Sequence, residues 1–560
     1  MSLKSVMTHQ FSEVPTVECP RSKFDRSCGY KTTFDSGYLV PFFCDEVLPG
    51  DTFDVNATIF ARLSTPIVPI MDNLFLDTFF FFVPLRLLWD NFQKFMGEQE
   101  NPGDSTEFLC PIINAPSGGF TVGSLFDYLG VPTGVDGIWI NSFIPNAYLK
   151  IFDDWFRDEN LINSQFTSTL KGDGPFNASD YSLLRRGKRH DYFTSCLPWP
   201  QKGPAVDLPL GATAPVYGTV IGTGKTLGMT DGTNTFSPSG NNSSNNYWLP
   251  WSGLYDKDLG TVTTDSNFVS GVLKKGVGVT TDPTKSGLTL ANDAYVDLSS
   301  ATSATINSLR EAFQLQKYYE RDARGGTRYI EKILSHFGVK SPDGRLQRSE
   351  YLGGNSNKII VHQVESNVQN TSRPLGGLGA YGVCASSRNG FTKSFVEHGV
   401  IIGLVNVRAD LTYQNGIDRM FSRRSVVDFY WPEFAHLGEQ AVLNKEIFAQ
   451  GSSVVDTDGT TLIDDKVFGY QERYAEYRYK PSKITGKLRS NASGTLQVWH
   501  LSQNFTNLPT LSSQFIEDNP PVARCLAVQN EPQIVFDSYI QNICIRPMPV
   551  YSVPGLVDHF

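Results

Sequence analysis

The stretch Phe53-Asp54-Val55-Asn56-Ala57-Thr58-Ile59-Phe60-Ala61-Arg62-Leu63 decides the fold class. Positions 53, 55, 57, 59, 61 and 63 are apolar, and between them stand Asp54, Asn56, Thr58 and Arg62, with Phe60 the one exception. Successive side chains of a strand point to opposite faces, so this two-residue alternation predicts a half-buried β-strand. The run Thr78-Phe79-Phe80-Phe81-Phe82-Val83 is apolar at both parities and should be covered on both faces. Pro41, Pro49, Pro66, Pro69 and Pro84 fall at strand ends, where a missing N–H costs no ladder bond. The β signal returns at Lys358–Val364, Val400–Tyr413 and Thr495–Leu501. Strands at both ends with long material between them predict a sheet closed by distant segments, as in a sandwich with Greek-key crossings.

Helices are expected to be few. One runs from about Asn146, with Tyr148, Ile151, Phe152, Trp155 and Phe156 on one face. A second starts near Ser308, where Ser308 and Glu311 have capping-box spacing, and continues to Tyr319. A third opens at Thr327, presents Ile330, Ile333, Leu334 and Phe337, and stops at Gly338. Between them, 55 of the 90 residues at 211–300 are Gly, Ser, Thr, Asn, Asp or Pro, with no Arg, Glu, His or Cys. A coil of that length is unusual inside a compact domain, so an exposed insertion is expected. Its Tyr247, Trp248 and Trp251 favour a small β-rich projection over a linker.

At about 150 residues per domain, 560 residues would make three or four domains. Composition argues instead for one discontinuous β domain swollen by insertions: 1–210, the exposed insertion 211–300, and 301–560. There are 49 Gly and 32 Pro, 12% of residues are aromatic, and 19% are charged against about 25% ordinarily. Thin charge is expected where much of the surface faces other protein. The aromatic content and lack of repeats exclude disorder, collagen and coiled coil. A net charge of −9 rules out a polycation that coats nucleic acid unaided. The eight cysteines include no C-x-x-C pair, which favours free thiols. MSLKSVMTHQFSEV has no apolar signal core, and Leu74–Trp89 is interrupted by Asp77, Pro84 and Arg86, so a soluble cytoplasmic product is expected.

Motifs of catalysis do not hold together. Gly222-Thr223-Gly224-Lys225-Thr226 resembles the end of a phosphate loop, but Thr219 stands where the first glycine belongs and LGMTDGTNT cannot supply the helix. Gly377-Leu378-Gly379-Ala380-Tyr381-Gly382 fits G-x-G-x-x-G without the flanking strand and helix, and reads as a glycine-rich turn. No two histidines have metal-ligand spacing, and no G-x-S-x-G occurs. No catalytic residue, cofactor or metal is expected. Asp153 and Asp154 read as a solvated helix face. Two basic clusters remain. Arg185, Arg186, Lys188 and Arg189 crowd five positions; Arg473, Arg478, Lys480, Lys483, Lys487 and Arg489 interleave with tyrosines including Tyr479. Cations beside stacking rings suit single-stranded nucleic acid, and the same residue types are enriched at subunit interfaces.

The segments VPFFCDEVLPGDTF (40–53), LDTFFFFVPLRLLWDNF (76–92), RRGKRHDYFTSCLPWPQKG (185–203), YYERDARGGTRYIEKILSHFGV (318–339), FGYQERYAEYRYKPSKITGKLR (468–489) and MPVYSVPGLVDHF (548–560) closely resemble the major capsid protein of the Microviridae, nearest the gokushovirus branch of small icosahedral single-stranded DNA phages. The resemblance implies an eight-stranded antiparallel jelly roll with long inter-strand insertions. It implies about 60 copies in a T=1 icosahedral shell around a circular single-stranded DNA genome. It also implies partners: a small basic DNA-binding protein, an internal scaffolding protein, a DNA pilot protein and a host surface receptor. The segment 211–300 stands where the family carries a three-fold projection thought to meet the host, making Tyr247, Trp248 and Trp251 candidate contacts. About 60 copies at −9 sum to roughly −540, so the shell alone cannot neutralise the genome. The basic clusters are therefore expected on the inner surface or its seams. A large β-fold glycan-active enzyme, active as a small oligomer, and a trimeric phage receptor-binding protein are the competing classes.

Overall fold

A computed structural model describes residues 20–204 and 206, seven short strands between 216 and 296, and residues 306–324, 329–337, 347–367, 369 and 375–551. The alternation at 53–63 is realised without exception. Phe53, Val55, Ala57, Ile59, Ala61 and Leu63 are buried, while Phe60 lies outside with the Arg62 guanidinium 6.0 Å from its ring.

Nine strands form the main sheet: β1 (Ser22–Asp25), β2 (Cys28–Phe34), β3 (Val40–Val47), β4 (Thr52–Leu63), β5 (Leu74–Pro84), β6 (Glu350–Glu365), β7 (Leu378–Ser394), β8 (Gly399–Ala409) and β9 (Ile534–Arg546). All pairings are antiparallel; β1 and β2 both pair with β9, and the order continues β9, β4, β7, β6, β5, β8, β3. The long β6 turns the corner. Its first part, Glu350 to Ile359, pairs with β5, and Ile360 to Glu365 pairs with β7. The sheet thereby curls on itself. Phe42 of β3 meets Phe536 of β9 at 5.7 Å, and Phe80 of β5 meets Phe391 of β7 at 5.5 Å. This mainly β, curled antiparallel architecture is consistent with a jelly roll. One edge position is split into β1 and β2 at Arg26-Ser27, where Asp25 takes the Ser27 N–H at 3.0 Å out of the ladder.

The phenylalanine run divides two cores. Phe80 and Phe82 point inward with Phe53, Ile59, Ile401 and Phe536. Phe81 and Val83 point outward, as do Val400, Ile402 and Leu404 of β8, whose every residue is buried. An insertion between β5 and β6 covers that outer face. Its helix α1 (Phe143–Trp155) begins one residue ahead of Ile144, a turn earlier than expected, and packs Tyr148, Ile151 and Phe152 with Leu88 and Trp89. The Tyr148 hydroxyl donates to Leu39 O at 2.9 Å, pinning the helix to the chain entering β3.

The other expected helices are α2 (Ile306–Arg324) and α3 (Tyr329–Phe337). Three expectations fail. Thr495–Leu501 is no strand but contains a 3-10 turn at Gln497–Trp499. Its neighbours are held by side chains instead: Arg524 donates to His500 O at 2.7 Å and Ser502 O at 2.8 Å. The glycine motif at 377–382 is mostly strand β7, not turn. A Cβ on Gly382 would stand 2.9 Å from Leu63 Cβ, so glycine allows β4 and β7 to close up there. Asp153 and Asp154 also depart from the solvated reading. Asp153 accepts from the backbone N–H of Gln165 and Phe166 at 3.0 and 2.8 Å, and Asp154 from Ser349 N at 2.8 Å, so both tie loops to α1.

The chain divides into two compact units, Met1–Gly203 with Tyr319–Phe560, and Pro204–Tyr318. The second contains strand pairs Val216–Tyr217 with Tyr295–Val296 and Val220–Gly222 with Leu288–Leu290, and Met229–Thr230 pairs with both Thr235–Phe236 and Gly278–Val279. Among the described residues no helix is long and apolar enough to cross a membrane, and the seven described cysteines are free thiols.

The two cores differ from the exposed face of β4 in what they tolerate. Phe80→Ala should destabilise the subunit by about 3–5 kcal/mol, whereas Phe60→Ala should cost less than about 0.5 kcal/mol. Urea unfolding followed by tryptophan fluorescence checks both.

Candidate functional site

The first basic cluster is an extended wedge. Arg186 N donates to Gly37 O at 2.9 Å, and Leu39 N to Leu184 O at 3.0 Å. On its other side Lys188 N donates to Ile516 O and Asp518 N to Arg186 O, both at 2.7 Å. Gly37 is required at this junction: its φ is +86°, and a Cβ would stand 2.1 Å from Asp518 O.

Side chains of the wedge turn inward to carboxylates far away in sequence. Arg186 Nη1 donates to Asp77 Oδ2 at 2.6 Å, and Arg408 Nε of β8 donates to the same oxygen at 2.5 Å. Burial opposes ionisation of Asp77, but hydrogen bonds from Arg408 and Ser356 and the charges of Arg186 and Arg408 hold its carboxyl below the usual range. Arg185 lies 3.9 Å above the Tyr38 ring and donates to Ser36 O and Asp518 O, both at 3.2 Å. Lys188 donates to Phe515 O and to Gln503 Oε1 at 3.2 Å, and burial lowers its ammonium to about 8. Burial likewise raises Asp518 to about 6, against the opposing charges of Lys188, Arg186, Arg408 and Arg185. Arg189 and His190 remain exposed; Arg189 stands 3.7 Å from Asp410.

Beside the wedge opens a cleft of about 410 Å³. It is lined by Phe79, Phe81, Trp155, Phe156 and Tyr351, by the exposed Arg189 and His190, by Asp158, and by Arg157, which is paired with Asp153 at 3.5 Å. Rings with cations at the rim can hold a planar base and its phosphate, or an aromatic side chain of a partner.

The second cluster is spread along the surface. Arg478 pairs with Glu472, Lys483 with Asp418 at 2.5 Å, and Lys480 approaches Asp418 at 3.7 Å. Arg473 donates to Val427 O at 3.2 Å, and Arg489 to Gln414 O at 2.8 Å. Lys487 and Tyr479 are exposed. The two clusters do not form one site: each has its own set of acids. Tyr247, Trp248 and Trp251 lie outside the described residues. Among the described residues no group of three His, Cys, Asp or Glu is placed to hold a metal.

The acids that organise the wedge, Asp77 and Asp518, are absent from the basic-cluster reading. A signal existed for Asp77, a lone charge inside a strand covered on both faces, which requires a buried partner. Asp518 gave none, since the wedge cations it meets, Arg185, Arg186 and Lys188, are more than 300 residues away.

Three outcomes follow. Asp77→Ala leaves Arg408 buried without its acid and should cost about 3–5 kcal/mol, read by chemical unfolding. Asp518 holds its proton to higher pH when folded, so stability should fall as pH rises from about 4 to about 6. Lys188 loses its proton earlier when folded, so stability should rise between about 8 and 10.5. Asp518→Asn should abolish the acid-side fall in thermal unfolding profiles.

Residues 12–556 match the family described as capsid protein (F protein). The chain is 47% identical over 590 aligned positions to the capsid protein VP1 of Chlamydia phage 1, covering 99% of this chain and 98% of that protein. It is 44% identical to the capsid protein VP1 of Bdellovibrio phage phiMH2K, with the same coverages, and 36% identical to that of Spiroplasma virus 4, covering 99% of each. These are names of virion components with a structural role, in keeping with two strands buried on both faces and cations spent on internal acids. The chain belongs to the capsid protein (F protein) family of the Microviridae.

Proposed function

We propose that this capsid protein assembles as about 60 copies into a T=1 icosahedral shell enclosing a circular single-stranded DNA genome. The observation that carries the reading is the family match along nearly the whole chain. The arrangement of charge supports the rest. Arg186, Lys188, Arg473, Arg478, Lys483 and Arg489 are bonded to the chain's own acids and carbonyls, so few cations stay free for phosphate. With −9 per subunit, neutralising the genome falls to a small basic DNA-binding protein carried inside. An internal scaffolding protein would guide assembly, a DNA pilot protein would accompany the genome, and the insertion 211–300 would meet a host surface receptor.

Where the shell does touch DNA, the aromatic cleft beside Arg189 is the best-furnished seat for one nucleotide: Trp155 and Tyr351 offer faces for stacking and the exposed Arg189 offers charge.

Purified particles test these roles separately. Trp155→Ala with Arg189→Glu should reduce packaged DNA per shell several-fold while shells still form, read by absorbance ratio and density; full packaging would remove the cleft from the DNA path. Replacing 225–297 by a short linker should abolish adsorption to host cells and leave assembly intact. Unchanged adsorption would dismiss the attachment role.

A further inference from the structure

The described surface has an apolar region that neither core absorbs. Residues 417–437 fold against 473–483. Tyr430 and Tyr474 rings meet at 5.1 Å, the Tyr474 hydroxyl donates to Phe429 O at 3.0 Å, and Arg423 sits 4.3 Å from the Tyr477 ring. Beneath, Arg423 and Arg419 are anchored on Glu476 and Glu446 at 3.2 and 3.0 Å. Above, Phe421 is 71% exposed, Val426 69% and Leu437 64%, and Phe429, Tyr430, Trp431 and Tyr477 are about half exposed. A ring buries about 150–250 Å², so five half-exposed rings present on the order of 500 Å² of coverable surface. A patch of that size is about as large as the largest apolar patch of a typical monomer, and such patches are often functional. The aliphatic neighbours bring it toward the roughly 800 Å² per partner of a stable interface.

The shoulder is also basic. Arg424 and Lys487 are exposed and pair with no carboxylate among the described residues. Arg478, Lys480 and Lys483 stand nearby. The complementary feature is the loop Met96-Gly97-Glu98-Gln99-Glu100-Asn101-Pro102-Gly103-Asp104-Ser105-Thr106-Glu107-Phe108-Leu109, with four acids and no cation. Glu98, Glu100 and Glu107 are exposed and form no ion pair among the described residues, and Leu109 beside them is 87% exposed.

We infer that the aromatic shoulder 417–437/473–487 is a subunit contact whose occupant is the acidic loop 96–109 of a second copy. The loop's carboxylates meet Arg424, Lys480 and Lys487, and Leu109 enters among the exposed rings. The contact joins two different patches, so it is heterologous and repeats around a rotation axis until the ring closes. Aromatic rings with arginine are what such contacts enrich. Single-stranded nucleic acid fits less well, because Arg473, Arg478 and Lys483 are already held by protein acceptors. The inference rests on the shell reading and specifies which surfaces build it.

Charge reversal on the full-length chain, produced with its normal assembly partners, tests it. Glu100→Lys/Glu107→Lys and Arg424→Glu/Lys487→Glu should each lower shell yield at least tenfold with unchanged thermal unfolding, and the four changes together should restore at least half the wild-type yield. Wild-type yield from either double variant overturns the contact, as does a quadruple variant no better than the doubles. Arg424→Glu/Lys487→Glu shells formed at full yield but lacking DNA would overturn it in favour of nucleic acid. Should a variant fail to fold, zero-length carboxyl–amine cross-linking of wild-type shells decides: cross-links from Glu98–Glu107 to Lys480–Lys487 are expected, and none would overturn the contact. Absence of shells from the wild-type chain would instead fault the shell reading.

Discussion

Burial of β5 and β8 on both faces is the constraint from which the rest of the subunit follows. A strand covered on one side can leave polar residues in water on the other; Leu74–Pro84 and Gly399–Ala409 have no such side. Their inward residues close the curled sheet, and their outward residues require a second layer, which the long insertion after β5 supplies through α1 and the aromatic residues packed around Trp89. Asp77 and Arg408 are the charged residues inside these strands, and the insertion adds a further cation to the Asp77 carboxylate. Arg186 is that cation, so the basic wedge is first a closing element of the fold.

This changes what the positive charge means. A cluster of four cations in five residues looks like a phosphate grip in sequence. In the folded subunit Arg185, Arg186 and Lys188 are spent on carbonyls and buried acids, leaving Arg189 and His190 at the cleft rim. Removing such a cation would destabilise through the acid left behind, and a loss of packaging would then report folding instead of DNA contact.

Local periodicity made much of the fold legible. The alternation at 53–63, the two-faced run at 78–83 and the apolar stripe of α1 each depend on neighbours two to four residues apart, and each is found. The failures come from long-range closure. Thr495–Leu501 has strand-forming residues but no strand beside it, and Arg524 takes the His500 carbonyl while the Met71 N–H takes that of Trp499. The 377–382 glycines look like a turn until β4 is brought within 2.9 Å of a missing Cβ. The acids that neutralise the basic clusters lie up to 333 residues away, as the charge of Asp518 facing Arg185 illustrates, and no spacing rule reports them.

Thin charge, two-sided burial and an uncovered aromatic shoulder describe a subunit whose remaining apolar surface is finished by its neighbours. Cryo-electron microscopy of the purified full-length product, made with its assembly partners, tests that claim most directly. Closed icosahedral shells of about 60 copies of the 62.2 kDa chain, about 3.7 MDa of this protein, are the result expected. A product that stays monomeric or stops at a small oligomer in the presence of scaffold would contradict it.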